Sequence, residues 1–445
     1  MQTLQYWKSR LTSVPSTIEC PEMQLFSGSD HEPPIFVGPG HIDIRSSTAI
    51  DFTMFALAAD GSDVFRRLVR AKENPYEIFD QFRLEATDYE GHKWAGGWTS
   101  PHLKGYPKVG WPLAGQINSL STQASGPWVS NESGVELAFY PKLPLPMDKQ
   151  MISVVSVGDE EIEKRFSDGQ QTVKVLDSEI KFFHLPSEDF LWVTAKTTDK
   201  LQHPYLENWI AEPLRILLGQ LIYPRLVARN FGNGTAQVWL RPSPRLFSDS
   251  AIAALVEGNP CQKEAKFWEL YARLLVLIAE ARDETGHPNF EAHRITSFYE
   301  EIAQATQGSR WVLCLTLAST AEGIAKMLMQ PEDQASDFDK NEIDSIKDHV
   351  AAWKGNKVLR GQILGSVGYA SKRSIGNYLK DLVQRGVLEV SAERAWSLVR
   401  NVVMHGNLIS PWATKEEDER LRDLARLVHQ LTHELIRGQN SQSLG

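Results

Sequence analysis

Three residues near the carboxyl terminus have the types and spacing for phosphodiester chemistry. In Ala395-Trp396-Ser397-Leu398-Val399-Arg400-Asn401-Val402-Val403-Met404-His405-Gly406-Asn407, an arginine, its asparagine neighbour and a histidine fall within six positions. Arg400 carries a permanent charge on a planar fork that matches phosphate oxygens. His405, with an ordinary pKa near ~6.5, accepts or donates a proton at neutral pH. Asn401 offers an amide that donates to phosphate or holds the imidazole. A proton carrier beside a fixed cation is what a reaction at phosphorus needs as anionic oxygen develops.

A helix must position these groups. At 100° per residue, Trp396, Val399, Val403 and Met404 form an inward apolar stripe with Arg400 at its edge. His405 lies about 140° around from Arg400, so one ideal helix does not aim both at a single atom. Either the helix ends or bends at His405-Gly406, where glycine suits a C-terminal stop, or a second copy supplies the other half about a two-fold axis. Taken by themselves, the two residues also suit an ordinary helix C-terminus, where the dipole favours cations. On the preceding helix, Lys372 and Arg373 are placed to meet phosphates, or to form a solvated face balanced by Asp381.

The Arg-Asn-x-x-x-His pattern, with Trp396 before it and Gly406 after it, resembles the signature of the HEPN (higher eukaryotes and prokaryotes nucleotide-binding) superfamily. Leu315–Ala325 is similar to the early helix of that family, with Glu322 in the place of a polar residue facing the motif. The resemblance covers the helical half, about 190 residues. It implies a metal-independent, cofactor-free endoribonuclease acting as a homodimer or higher homo-oligomer, with the ribose 2′-hydroxyl as nucleophile. Arg400, Asn401 and His405 would be catalytic, Glu322 supporting, and Lys372 and Arg373 RNA-binding, with tRNA among the implied substrates. The layout, a β-rich front half before a helical HEPN tail, is similar to that of ApeA-type anti-phage defence proteins. That similarity implies abortive infection triggered by a phage product at the N-terminal domain. The alternative is a non-catalytic HEPN module that dimerises or binds nucleotide or RNA and scaffolds a partner.

Other chemistries find less support. His429 and His433 share one helical face, a spacing that suits zinc, but position 430 is glutamine and no third ligand is evident. Gly365-Ser366-Val367-Gly368-Tyr369-Ala370 has no preceding strand, so it does not read as a phosphate cradle, and no Gly-x-Ser-x-Gly elbow occurs.

The elements behind these residues predict an α+β protein. Residues 1–255 read as a β-rich mixed domain, a sandwich or curved sheet with a sensing or regulatory role. Strands are expected at Ile42–Ile44, Phe79–Thr87, Val135–Tyr140, Ile152–Val157, Thr172–Phe183, Phe190–Thr194 and Gln237–Leu240, and helices at Asp63–Lys72 and Tyr205–Leu218. Residues 256–445 read as an all-α HEPN-type bundle, with helices at Lys263–Arg282, Glu291–Thr306, Trp311–Met329, Asp339–Trp353, Lys372–Arg385, Ala392–Met404 and Lys415–Arg437. Gly386 is placed to stop the helix ending at Arg385. A polar, frayed tail is expected at Gly438–Gly445. Trp94, Trp98, Trp111 and Trp128 are placed to form either core or a recognition surface.

Composition sets the bounds. The 445 residues carry 47 Lys plus Arg against 56 Asp plus Glu, a formal charge of −9, so binding to nucleic acid must rest on a local basic site. Cys20, Cys261 and Cys314 are too few and too scattered for a disulfide framework, no export signal is visible, and no apolar stretch reaches the ~20 residues of a membrane span. The expected location is cytoplasmic, without membrane association.

Overall fold

The computed structural model describes residues 2–27, 33–58, 64–105, 110–147, 149–157, 160–185, 188–246, 252–260, 263–290, 293–330, 338–370, 373–404 and 414–442; at 149–168, 401–404 and 439–442 only the backbone is described. The chain forms two compact units. One comprises Met1–Leu214, Leu221–Leu246 and Asn259–Ala292; the other comprises Arg215–Gln220, Phe247–Gly258 and His293–Gly445. Both differ from a single cut at 255, because Asn259–Ala292 falls in the β-rich unit and two short segments from before 259 fall in the helical one.

Among the described residues the first unit is built on fifteen strands: β1 (Ser16–Phe26), β2 (Phe36–Ser46), β3 (Ala49–Ala58), β4 (Phe82–Thr87), β5 (Lys93–Thr99), β6 (His102–Leu103), β7 (Trp111–Gln116), β8 (Leu120–Ser125), β9 (Ser133–Phe139), β10 (Lys149–Val157), β11 (Glu160–Val175), β12 (Ser178–His184), β13 (Leu191–Lys196), β14 (Leu226–Phe231) and β15 (Thr235–Leu240). They join in one sheet, ordered β10-β11-β12-β13-β9-β14-β15-β8-β5-β4-β1-β2-β3-β7-β6. The paired strands run antiparallel, as hairpin-connected strands do. In β4, Phe82, Leu84 and Ala86 are buried while Arg83, Glu85 and Thr87 are half-buried, the period-two alternation anticipated from sequence.

The sheet curls around its first helix, α1 (Thr3–Thr12). Residues of β1–β5 and of the distant β14 and β15 share one apolar core with Leu4, Trp7 and Leu11 of α1. Arg225, just before β14, donates to the Ser47 carbonyl in the β2–β3 turn, and the Ser243 amide donates to the same oxygen at 2.7 Å. These bonds bring strands far apart in the order together. Burial pulls the Arg225 guanidinium down to about 10.

Three further helices complete this unit or its boundary: α2 (Val64–Glu73), α3 (Leu206–Leu218) and α4 (Glu264–Ala279). The spacing placed α4 with the helical half, but its aromatic face packs on the sheet. Trp268 and Tyr271 meet Phe182 of β12 with ring centres 4.9 and 5.3 Å apart. The segment Thr172–Phe183, expected as one strand, is two. Leu176 and Asp177 take φ of 53° and 63° and turn β11 into β12 as a two-residue hairpin. Pairing on both flanks imposes this turn on residues that carry no glycine or asparagine signal.

The second unit contains α5 (Arg294–Ala305), α6 (Arg310–Leu328), α7 (Lys340–Ala352), α8 (Lys357–Ala370), α9 (Ile375–Gln384), α10 (Val390–Met404) and α11 (Lys415–Gln442). Helix α6 touches α5, α9, α10 and α11, which accounts for its apolar sequence. Among the described residues it is the one helix long and apolar enough to span a bilayer, with mean hydropathy 1.3, and Leu317, Ala321 and Ile324 are fully buried in this bundle. Tyr299 of α5 donates to Thr432 of α11 at 3.0 Å. Gly386 takes φ +73° and the Val387 amide donates back to Leu382 at 2.9 Å, closing α9 as the sequence anticipated. The tail is more regular than expected, since α11 continues to Gln442.

Asp88 ties α1 to the sheet. Its buried carboxylate accepts from Arg10 Nη2 at 2.8 Å, from the His92 amide at 2.9 Å and from Trp94 Nε1 at 3.0 Å. Burial raises its pKa, but the bonds from Trp94 and His92 outweigh that and hold it below the usual 3.8. The folded state therefore favours the charged form, so this carboxylate stabilises above about pH 4 and the contribution fades as pH falls below it. Asp88→Ala should cost about 3 kcal/mol in urea unfolding at pH 7, because it strips the acceptor from the buried Trp94 indole and from the partly buried Arg10. The gap between the two proteins should narrow in acid.

Candidate functional site

Helix α10 carries the motif. Of the predicted stripe, Trp396 and Val399 are buried, beside Ala392 and Ala395, while the side chains of Val403 and Met404 lie outside the described residues; Arg400 stands at the edge with 42% of its side chain exposed. Trp396 anchors the helix, its indole donating to the Ala318 carbonyl of α6 at 3.2 Å. One turn on, the Arg400 guanidinium lies 5.4 Å from the centre of the Trp396 ring, within cation–π range.

Glu322 of α6 meets this guanidinium. Arg400 Nε donates to Glu322 Oε2 at 3.4 Å, while Lys326, one turn further along α6, donates to Oε1 at 3.0 Å. Burial raises the Glu322 pKa, and the Lys326 bond and charge together with Arg400 more than reverse it, so the carboxyl is held below its ordinary value. At neutral pH one carboxylate thus serves two cations. Gly323 sits next to it because a Cβ there would lie 2.4 Å from the ring of Phe298 on α5.

Two clefts meet on this cluster. One of about 830 Å³ is lined by Glu322, Lys326, Tyr369, Arg373, Trp396 and Arg400. The other, about 540 Å³, is lined by Arg294 and Phe298 and shares Glu322, Lys326 and Arg400. Among the described lining residues, four cations face one carboxylate, which supplies the local basic site that an acidic chain requires to hold a polyanion. Ser374 caps α9 by accepting from the Asn377 amide at 3.1 Å, and Ile375 and Gly376 of its first turn border the larger cleft.

The sequence candidates divide accordingly. Arg400, Glu322 and Arg373 come together at one cleft. Asn401 lies on α10, with its backbone alone described; His405 and Lys372 lie outside the described residues. Arg373 also approaches Asp381, at 3.8 Å. Lys326 and Arg294 were not anticipated, although Lys326 stands four residues after Glu322, the spacing of a helical ion pair. Among the described residues no three His, Cys, Asp or Glu side chains converge as metal ligands; His429 is buried and stacks on Tyr299. Burial pushes the Cys314 thiol up to about 11, which removes it as a nucleophile at neutral pH.

Stability and site geometry should separate on substitution. Trp396→Ala should cost about 3–5 kcal/mol in denaturant unfolding, as loss of a buried indole does. Arg400→Ala should cost less than about 1 kcal/mol, because its partners are partly hydrated. No protein-family model, characterised protein or solved structure matches the chain, so what this site does is argued from its own geometry.

Proposed function

We propose that the helical unit is a metal-independent endoribonuclease of the HEPN type, acting in anti-phage abortive infection from the cytoplasm. The observation that carries this reading is the exposed Arg400 guanidinium, fixed by Trp396 and Glu322 where two cation-lined clefts join. A scissile phosphate on Arg400 would have room for chain on either side.

In this reading the ribose 2′-hydroxyl attacks the adjacent phosphorus. The bond from O2′ to phosphorus forms and the bond to O5′ breaks, leaving a 2′,3′-cyclic phosphate and a 5′-hydroxyl. His405 takes the 2′-hydroxyl proton while water protonates the departing O5′, or protonates O5′ while water takes the 2′-hydroxyl proton, acting from the same chain or a second copy. Arg400 neutralises the charge that gathers on the non-bridging oxygens. Asn401 donates to phosphate or steadies the imidazole, Glu322 orients Arg400, and Arg373 and Lys372 hold flanking phosphates, with tRNA among the candidate substrates.

The β-rich unit takes the sensing role. A polar cleft of about 840 Å³ lies over β1, β4, β5, β8 and β15. Of the four tryptophans singled out by sequence, Trp94 and Trp128 line it, while Trp111 packs against Phe36 instead. The four therefore do not make one surface.

Arg400→Ala should lower cleavage of total RNA about 10²–10³-fold, and His405→Ala about 10²–10⁴-fold, with circular dichroism unchanged. Wild-type protein that retains RNA without cutting it would instead identify the non-catalytic binding module.

A further inference from the structure

The smaller of the two clefts at Arg400 pairs an aromatic ring with cations. Residues of α5 and α6 line it, and it shares Glu322, Lys326 and Arg400 with the larger cleft. On α5, Arg294 and Phe298 stand four residues apart and so side by side on one face. Arg294 is exposed and, among the described residues, has no ion pair. Phe298 is half-buried. Its ring tip lies against Gly323, and among the described residues no other ring stacks on it. On α6, Leu315 and Ala318 add apolar surface and Ser319 an exposed hydroxyl. The volume, about 540 Å³, falls within the roughly 300–1,000 Å³ of clefts that enclose a small organic group.

Arg294, Lys326 and Arg400 against the one carboxylate of Glu322 call for an anionic occupant. A phenyl ring beside apolar walls calls for a planar, apolar one. A nucleotide joins the two in one molecule. We propose that this cleft is a nucleobase subsite, in which the base next to a phosphate on Arg400 stacks on Phe298 and Arg294 holds the phosphate beyond it. Stacking tolerates any base, because every base has a π-face. Ser319 is equally tolerant, since a hydroxyl both donates and accepts at a base edge. The subsite therefore requires a base without selecting one. It also requires that base to be unpaired, because in a duplex the π-faces are already covered by neighbouring bases. Its substrate is thus a single strand or a loop, and sequence choice falls to other parts of the chain. The subsite rests on the RNA reading of the Arg400 cleft, which supplies the neighbouring phosphate.

The test is binding of the full chain, by fluorescence anisotropy, to two labelled strands of equal length and charge. One is an oligoadenylate blocked against cleavage by 2′-O-methyl groups; the other is the same sugar-phosphate strand without bases. Wild type should hold the oligoadenylate about tenfold more tightly. Phe298→Leu should lose most of that preference while binding the abasic strand as wild type does, and Phe298→Tyr should keep it. Arg294→Gln should weaken both strands alike and reduce the slope of log affinity against log salt by about one. Annealing the oligoadenylate to a complementary strand should remove the effect of Phe298→Leu. Equal binding of the two strands by wild type overturns the proposal, and so does a Phe298→Leu protein that keeps the preference or weakens both strands alike. AMP that competes as tightly as the strand overturns it too, since the occupant is then a free nucleotide. A wild type that shows the base preference yet cuts no RNA leaves the subsite standing and removes the ribonuclease reading instead.

Discussion

The helical unit turns on a guanidinium held in place without being neutralised. Arg400 rests on the Trp396 ring on one side and shares Glu322 with Lys326 on the other. Neither contact saturates its charge: the ring offers a quadrupole rather than an anion, and the carboxylate is divided between two cations. What results is a positioned cation with part of its surface open to a cleft. The rest of the bundle serves this placement. Helix α6 runs through the centre and presents Glu322 and Lys326 on one edge, while Trp396 fastens α10 across it through the Ala318 carbonyl.

Charge distribution reinforces the picture. A chain with a net charge of −9 repels polyanions at long range, so attraction has to be local. Arg294, Lys326, Arg373 and Arg400 provide that locality from four segments of the same unit. Affinity built this way falls with added salt and depends on where the phosphates sit, which favours a site that grips a few phosphates over a surface that coats nucleic acid.

Much of this was legible in the sequence because it obeys local periodicity. The inward Trp396 and Val399 of α10, the stop at Gly386, the alternation in β4 and most helices of the second unit follow from spacing alone. What escaped was set by tertiary contact. Helix α8 was not among the expected helices, because Gly361, Gly365 and Gly368 lower the helix propensity of its interior, and α4 was assigned to the wrong neighbours because an apolar face does not say which surface it meets. β1 hides its pattern behind Pro21 and a bulge between Cys20 and Met23. The pairing of Arg400 with Glu322 became readable only through a resemblance, since 78 residues separate them. Arg294 joins the site through the packing of α5 on α6, which no single-helix pattern records, whereas Lys326 stands four residues after Glu322 on the same helix, a spacing the sequence does show.

The central claim is that Arg400 and an imidazole act on a phosphodiester whose own 2′-hydroxyl is the nucleophile. The most direct test is cleavage of a defined oligoribonucleotide in excess chelator, beside the same oligonucleotide with one 2′-deoxyribose at the cut site. The account predicts fragments ending in 2′,3′-cyclic phosphate from the first and no cut at that position in the second. Equal cleavage of both, or cutting that appears only when divalent metal is restored, would contradict it.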